Sequence, residues 1–338
     1  MAPGNEPEKS SSRWWRALRR ILPWTSLLLG VSGALGMDRR PERAWLVAAA
    51  AAGGWLVLAA FAVLDGLEPR RLSRNQALAA RAAQFSTVFG TQSLMQLCLF
   101  FSLPFFARAS AVPAHYAFVA VIAAAGGVTL WTPLYRAALK VPVSAAALQA
   151  IASFAGLDCV LPVLGASNRV SLIVAALSTA AGLPLAVRAT APAGEKRRVR
   201  TAAGLLVSVG LAAALLFGGA RVVPPAPLRF VEGAIGTQVV ERRLIDPATT
   251  LAAAPAQLVC ATAIAAPRGL KDRLRHVWRQ NGVVRAEIPL EIRGGRPQGF
   301  RTWSYRRSPG PGHWTCTVET ESGQLLGRAS IRIGEPPP

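Results

Sequence analysis

The chain has 338 residues, of which 52% are hydrophobic, and a net charge of +21. Its mean hydropathy of +0.34 is too high for most soluble proteins and predicts membrane spans. The apolar residues are concentrated before residue 222, with Lys and Arg gathered between the apolar runs. Because loops on the cytoplasmic side of membrane proteins collect basic residues in this way, the charge does not indicate a nucleic-acid partner.

Apolar runs predict an all-α membrane domain of about seven transmembrane helices over residues 21–221. The predicted spans are Ile21–Gly36, Ala44–Leu64, Phe85–Ala107, His115–Tyr135, Val141–Gly165, Val170–Val187 and Thr201–Ala220. The first run is short and could instead be a cleaved signal peptide. Residues 1–20 form a basic and aromatic segment, which either anchors at an anionic lipid surface or is simply the cytoplasmic flank of the first helix.

The distribution of Lys and Arg predicts the orientation of these spans. With the N-terminus in the cytoplasm, the inside segments hold 16 basic residues and the outside segments hold 6. The positive-inside rule then leaves the C-terminal region outside the membrane. We therefore expect a multi-pass membrane protein with a cytoplasmic N-terminus and an extracytoplasmic C-terminal domain.

Three polar residues inside the predicted spans are candidates for a role within the membrane. Asp158 is an acid in an apolar run, so it must be paired, neutral or close to the membrane surface. Gln92 and Gln96 are four residues apart and share one helix face. That face is explained either by hydrogen bonding between helices or by a polar permeation path.

The pattern changes after a Pro-rich linker at residues 222–227, which we expect to be stiff and extended. Short alternating runs separated by turn residues predict seven strands within a domain at residues 228–334, followed by a tail at 335–338. The strands are predicted at Leu228–Ile235, Gln257–Ala265, Leu274–Gln280, Val283–Leu290, Phe300–Tyr305, Gly312–Thr320 and Leu325–Ile333. This spacing favours an all-β, immunoglobulin-like antiparallel sandwich.

Three tryptophans lie on the predicted strands: Trp278, Trp303 and Trp314. The alternation around them predicts core positions, whereas an exposed member would fit a carbohydrate-stacking surface. Cys260 and Cys316 flank Trp278 in the order seen in immunoglobulin domains, so they are candidates for a disulfide, with two separate buried thiols as the alternative.

Catalytic and metal-binding patterns are missing from the sequence. The chain has three histidines and no Cys-x-x-Cys pair, which leaves little material for a zinc site. His276 shares a strand face with Trp278 and has no nucleophile motif beside it, so we expect a structural histidine. We therefore predict no enzyme activity, no catalytic residues, no metal and no cofactor.

The residues of the β region carry a resemblance. His276-Val277-Trp278, Arg301-Thr302-Trp303-Ser304 and Gly312-His313-Trp314 follow one another in this order. In this, the chain resembles an uncharacterised bacterial inner-membrane family with a multi-span N-terminal region and a C-terminal β-domain of unknown function. The resemblance implies the architecture and implies no activity or catalytic residue.

These observations favour a binding or structural module held at the membrane. Besides the lipid bilayer, its expected partner is an anionic component of the cell envelope, since residues 222–338 hold 16 basic against 9 acidic residues. The alternative function is a transporter or channel that uses polar intramembrane residues, including Asp158.

Overall fold

A computed structural model describes residues 24–25, 27–36, 41–65, 74–190, 195–241 and 243–334. The predicted segment at residues 1–20 and the predicted tail at 335–338 lie outside these residues. The described helices are α1 (Leu27–Gly36), α2 (Ala44–Asp65), α3 (Arg74–Ala109), α4 (Pro113–Leu130), α5 (Thr132–Leu139), α6 (Pro142–Val160), α7 (Asn168–Thr190) and α8 (Glu195–Val222).

Within the part of the chain that the structure describes, four helices are long and apolar enough to cross a membrane, each at a place where the sequence predicts a span. They are Phe85–Ala109, Pro113–Leu130, Val143–Val160 and Ala202–Val222. Leu27–Gly36 and Ala44–Ala60 are shorter apolar helices. On α8, Leu206 and Phe217 are 74% and 88% exposed, which suits a surface that faces lipid rather than water.

The fourth predicted span, His115–Tyr135, is not one helix. It is broken at Trp131, where α4 ends and the short helix α5 begins. The cause is Pro133, which has no N–H to donate to the Thr129 carbonyl, so the helical hydrogen bonds of α4 cannot continue through it.

Close helix contacts depend on small residues. A side chain at Gly54 would collide with Gln149, so this glycine lets α2 and α6 approach each other. Across the same contact, the Ser153 hydroxyl donates to the Ala51 carbonyl at 2.7 Å. The Gln149 amide donates to Ser153 at 2.8 Å. The helices are therefore joined by polar contacts as well as by apolar packing.

The C-terminal region is rich in β structure. Its strands are β1 (Arg229–Gly236), β2 (Gln238–Val240), β3 (Arg243–Ile245), β4 (Thr250–Leu251), β5 (Gln257–Ala265), β6 (Lys271–Gln280), β7 (Val283–Arg293), β8 (Phe300–Arg307), β9 (Gly312–Thr320) and β10 (Leu325–Ile333). The seven predicted strands correspond to β1 and β5 to β10, while β2, β3 and β4 were missed. Asn281 and Gly282 take φ angles of 51° and 83°, as the predicted hairpin turn requires.

These strands form three sheets. One has the order β1-β5-β8, another the order β4-β10-β9-β6-β7, and β2 and β3 form a two-stranded hairpin. All pairs are antiparallel except β4 with β10. Ile235 and Leu258 from the three-stranded sheet share an apolar cluster with Trp278, Trp314 and Ile331 from the five-stranded sheet. The two larger sheets therefore bury a common core.

Candidate functional site

A buried polar network lies at the centre of the β region. His276 on β6 places Nε2 2.9 Å from the Thr262 hydroxyl and Nδ1 2.8 Å from the Ser304 hydroxyl. The Trp278 indole N–H also donates to Ser304, at 2.9 Å. Thr302 reaches Thr262 at 2.9 Å. The motif residues His276, Trp278 and Ser304 therefore meet as a hydrogen-bonded group inside the core, where polar atoms need such partners.

Cys260 on β5 and Cys316 on β9 are joined by a disulfide between the two larger sheets. Trp278 lies in the same apolar cluster, and its ring meets that of Trp314 edge to face at 6.2 Å. The His276 ring is close enough to both sulfurs that the three residues could hold a metal ion by distance alone. The arrangement does not fit a metal, because the sulfurs bond each other and both ring nitrogens already have hydroxyl partners.

Two buried titratable groups of the β region have shifted pKa values in opposite directions. Burial lowers the pKa of His276 to about 4. Burial also raises the pKa of Asp272 to about 6, even though the Arg273 N–H donates to its carboxylate at 2.8 Å and the Asn168 backbone lies beside it. At neutral pH the histidine is therefore uncharged and the carboxylate is ionised.

Trp303 is not in the core, contrary to the prediction from the sequence. Alternation along β8 places Thr302 and Ser304 inside, and leaves Arg301 and Tyr305 exposed on the other face with Trp303 half-buried between them. The reason is that the inward positions serve the polar network around His276, so the apolar side chain points outward. Trp303 is thereby available to a ligand.

A groove surrounds Trp303 on the outer face of the three-stranded sheet. It consists of two cavities, of about 260 and 870 Å³, that are both lined by Arg243, Arg301, Thr302 and Trp303. The hairpin β2-β3 forms one wall, through Arg243. We call this surface the Trp303 groove.

The charges of the Trp303 groove are mixed. Its lining contains Arg243, Arg296 and Arg301, and also the acids Glu232, Glu241 and Glu291. The Arg301 guanidinium lies 3.9 Å from the Glu232 carboxylate, and both are largely exposed. An aromatic ring flanked by charged donors and acceptors can stack on an apolar face and hydrogen-bond polar groups around it.

The predicted Pro-rich linker is not a free spacer in the structure. Residues 223–228 are all buried between the helices and the β region. Val223 and Ala226 belong to the helical core, while Leu228 belongs to the β core. Hydrogen bonds hold the segment on both sides: Gln324 donates to the Val223 carbonyl at 3.0 Å, and Asn168 donates to the Ala226 carbonyl at 3.2 Å. We call this contact zone the seam.

The polar pair Gln92 and Gln96 contacts the break in the fourth predicted span. Both side-chain amides donate to the Thr129 carbonyl, at 2.7 and 2.9 Å. That carbonyl would normally accept from residue 133, which is a proline without an N–H. Neighbouring helices commonly satisfy a carbonyl freed in this way, so the two glutamines have a structural role that needs no permeation path.

Replacing both glutamines by leucine is expected to cost about 2 kcal/mol more than the two single changes together, because only the double change leaves the buried Thr129 carbonyl without a donor. Thermal melting of the purified protein in detergent measures this. The additional change Pro133→Ala restores an N–H at that position and is expected to recover part of the loss. Additive single effects would contradict the assignment.

Asp158 connects two helices near the end of α6. The Ser171 hydroxyl on α7 donates to the Asp158 backbone carbonyl at 2.7 Å and lies 3.3 Å from carboxylate Oδ1. The side chain is fully buried, and its Oδ2 has no partner among the described residues. Of the cavities described here, none includes Asp158 in its lining. These contacts indicate that Asp158 has a structural role in holding α6 against α7.

Comparison with known protein families assigns the chain to a family but does not provide an activity. Residues 7–263 match the model of a family of unknown function, DUF5924. The chain belongs to this family. Residues 271–333 match a second model, described as a protein of unknown function, DUF2914. No curated protein matches the chain.

The boundary between the two DUF matches does not separate two folded bodies. The DUF5924 match covers the helices and ends within β5, whereas the DUF2914 match runs from β6 to the end of β10. Strand β8 of the second region pairs with β5 of the first. The disulfide joins Cys260 of the first region to Cys316 of the second. The β region of this DUF5924 member therefore contains parts of both matches.

Proposed function

We propose that this DUF5924 protein is a binding module of a bacterial inner membrane. Its helices anchor a β-sandwich at the periplasmic surface, and the Trp303 groove of that sandwich binds an anionic glycan of the cell envelope. The observation that carries the proposal is the half-buried Trp303 between two cavities, with arginines and carboxylates around it.

The immunoglobulin-like description of the sandwich is part of this proposal. It is supported by the separation of β5 and β9 into different sheets, by the Cys260–Cys316 bond between them and by the buried Trp278 beside that bond. In such domains the exposed sheet faces and loops are free to bind a partner while the disulfide and the tryptophan maintain the core.

The periplasmic location is supported by the seam. Three helix ends contact or adjoin the β region: the C-terminal part of α3 at Phe105, the start of α7 at Asn168, and Val223 directly after α8. In the orientation predicted from Lys and Arg, these three helix ends lie on the outer side of the membrane. The helix ends therefore agree with one another on a common side, and the charge distribution is what assigns that side to the periplasm.

The ligand class follows from the chemistry of the groove. The indole ring of Trp303 offers a flat apolar surface for the C–H face of a sugar ring. Arg243, Arg301 and Glu232 offer donors and acceptors for hydroxyl groups. The excess of 16 basic over 9 acidic residues in positions 222–338 would draw an anionic polymer toward the surface.

Binding of full-length protein in nanodiscs to immobilised envelope glycans tests this function. The panel contains peptidoglycan fragments, lipopolysaccharide core oligosaccharide and an acidic exopolysaccharide. We expect Trp303→Ala to weaken capture by at least about tenfold. Tyr305→Ala is the matched control, because Tyr305 is exposed on the same face of β8 but lines neither cavity. Equal effects of the two changes, or no capture at low salt, would refute the proposal.

A transporter or channel remains the alternative function. Its only support here is the buried Asp158 oxygen without a partner among the described residues. Gln92 and Gln96, the other candidates for a polar path, direct their amides to the Thr129 carbonyl. We therefore favour the binding module.

A further inference from the structure

A third cavity, of about 350 Å³, opens at the seam between the helices and the β region. Four arginines line it, and its lining contains no Asp or Glu: Arg108, Arg229, Arg268 and Arg296. Phe105 and Leu228 contribute apolar surface. This composition differs from the mixed charges of the Trp303 groove, and we call it the arginine cavity.

The positive charges of the arginine cavity are not neutralised within the described part of the chain. None of the four guanidinium groups forms an ion pair there, whereas Arg273, Arg275, Arg279 and Arg301 of the β region all do. All four side chains are exposed, and Arg296 stacks over the Phe300 ring at 5.1 Å. Like charges that share a cavity repel each other, so an anion bound between them would be favourable.

The position of the cavity selects the anion. Arg108 lies in the last turn of α3, at the end of the candidate membrane span Phe85–Ala109. Phe105 lies one turn deeper in the same helix. A span ends where the hydrocarbon core gives way to lipid headgroups, so a cavity lined by Arg108 opens at headgroup level, with Phe105 on the side of the acyl region.

We infer that the arginine cavity is a binding site for the phosphate group of an anionic membrane lipid. Arginine suits this ligand because its planar guanidinium group can donate two parallel hydrogen bonds to phosphate oxygens. A bound lipid would also join α3 to the turn at Arg268 and the loop at Arg296, and so fix the β region on the membrane surface. The inference rests on the membrane attachment within the proposed function and adds a specific ligand class to it.

Purified full-length protein in nanodiscs of phosphatidylcholine with a small fraction of phosphatidylglycerol tests the site. Native mass spectrometry counts the phosphatidylglycerol molecules that remain bound to the protein after it is released from the nanodisc. The triple variant Arg108→Gln, Arg268→Gln, Arg296→Gln is expected to bind this lipid about fivefold more weakly for each charge removed. The control variant Arg285→Gln, Arg328→Gln, Arg332→Gln removes the same charge from exposed arginines that do not line the cavity. It is expected to bind like the wild type.

Equal weakening in the two triple variants would overturn the site, because the attraction would then be general. Displacement of the lipid by free glycerol 3-phosphate at matched concentration would overturn the lipid assignment in favour of a soluble phosphate. Should the triple variant misfold, Arg268→Gln alone, in an exposed turn, gives the same comparison. The Trp303→Ala variant is expected to bind the lipid like the wild type while it loses affinity for glycan. The failure of the glycan proposal and the failure of the lipid site can therefore be distinguished.

Discussion

Replacing Cys260 and Cys316 together by alanine is expected to lower the free energy of unfolding of the β region by about 4 kcal/mol. The bond closes a loop with a sequence separation of 56 residues between the two sheets. Removing it enlarges the conformational freedom of the unfolded chain by an amount that corresponds to this value. Urea denaturation of the purified full-length protein, followed by tryptophan fluorescence, measures the change.

A reductant provides the matched control for the disulfide. It should destabilise the wild-type protein by a similar amount and leave the double alanine variant unchanged. Wild-type protein that is insensitive to reductant, with both thiols open to alkylation, would show that the bond does not form. Because disulfides persist in oxidising compartments, its presence in protein isolated from cells would also support a periplasmic β region.

Replacing His276 and replacing Asp272 are expected to change the slope of stability against pH in opposite directions. Folding lowers the pKa of His276 from 6.5 to about 4, so the stability that its neutral form contributes is lost as the pH falls from 6.5 toward 4. Folding raises the pKa of Asp272 from 3.8 to about 6, so the stability of its protonated form is lost as the pH rises across that window. Each contribution is about 3 kcal/mol, and they nearly cancel in the wild type between pH 4 and 6.

The two variants separate these contributions. His276→Gln leaves only the aspartate, so stability should decrease as the pH rises from 4 to 6. Asp272→Asn leaves only the histidine, so stability should decrease as the pH falls over the same range. Urea denaturation at several pH values measures both slopes, and other titrating groups cancel in the comparison. Variants with the slope of the wild type would contradict the burial of these groups in the folded protein.

The sequence was most informative where periodicity and turn chemistry agree. The bounds of β5, β9 and β10 equal the predicted ones because clear alternation ends at turn residues on both sides. The short strands β2, β3 and β4 have two or three residues each, too few for any period to be visible. The break at Trp131 was missed because hydropathy continues through it, although Pro133 carried the signal.

The candidate site was harder to predict for two physical reasons. Alternation on β8 separated Trp303 from Thr302 and Ser304, but the rule that apolar residues are buried assigned the wrong face, since the buried hydroxyls serve His276. The arginine cavity combines residues as far apart in sequence as Arg108 and Arg296. No spacing within a single chain segment can reveal such a cluster, because only the seam brings its members together.

The side of the membrane on which the β region lies is the most direct test of the whole account. Alkaline phosphatase and a green fluorescent protein, each fused after residue 338 and expressed in a Gram-negative host, report that side. We predict active phosphatase and no fluorescence, as expected for a periplasmic C-terminus. A fluorescent fusion with inactive phosphatase would place the β region in the cytoplasm and contradict the periplasmic location, the glycan partner and the formation of the disulfide in cells.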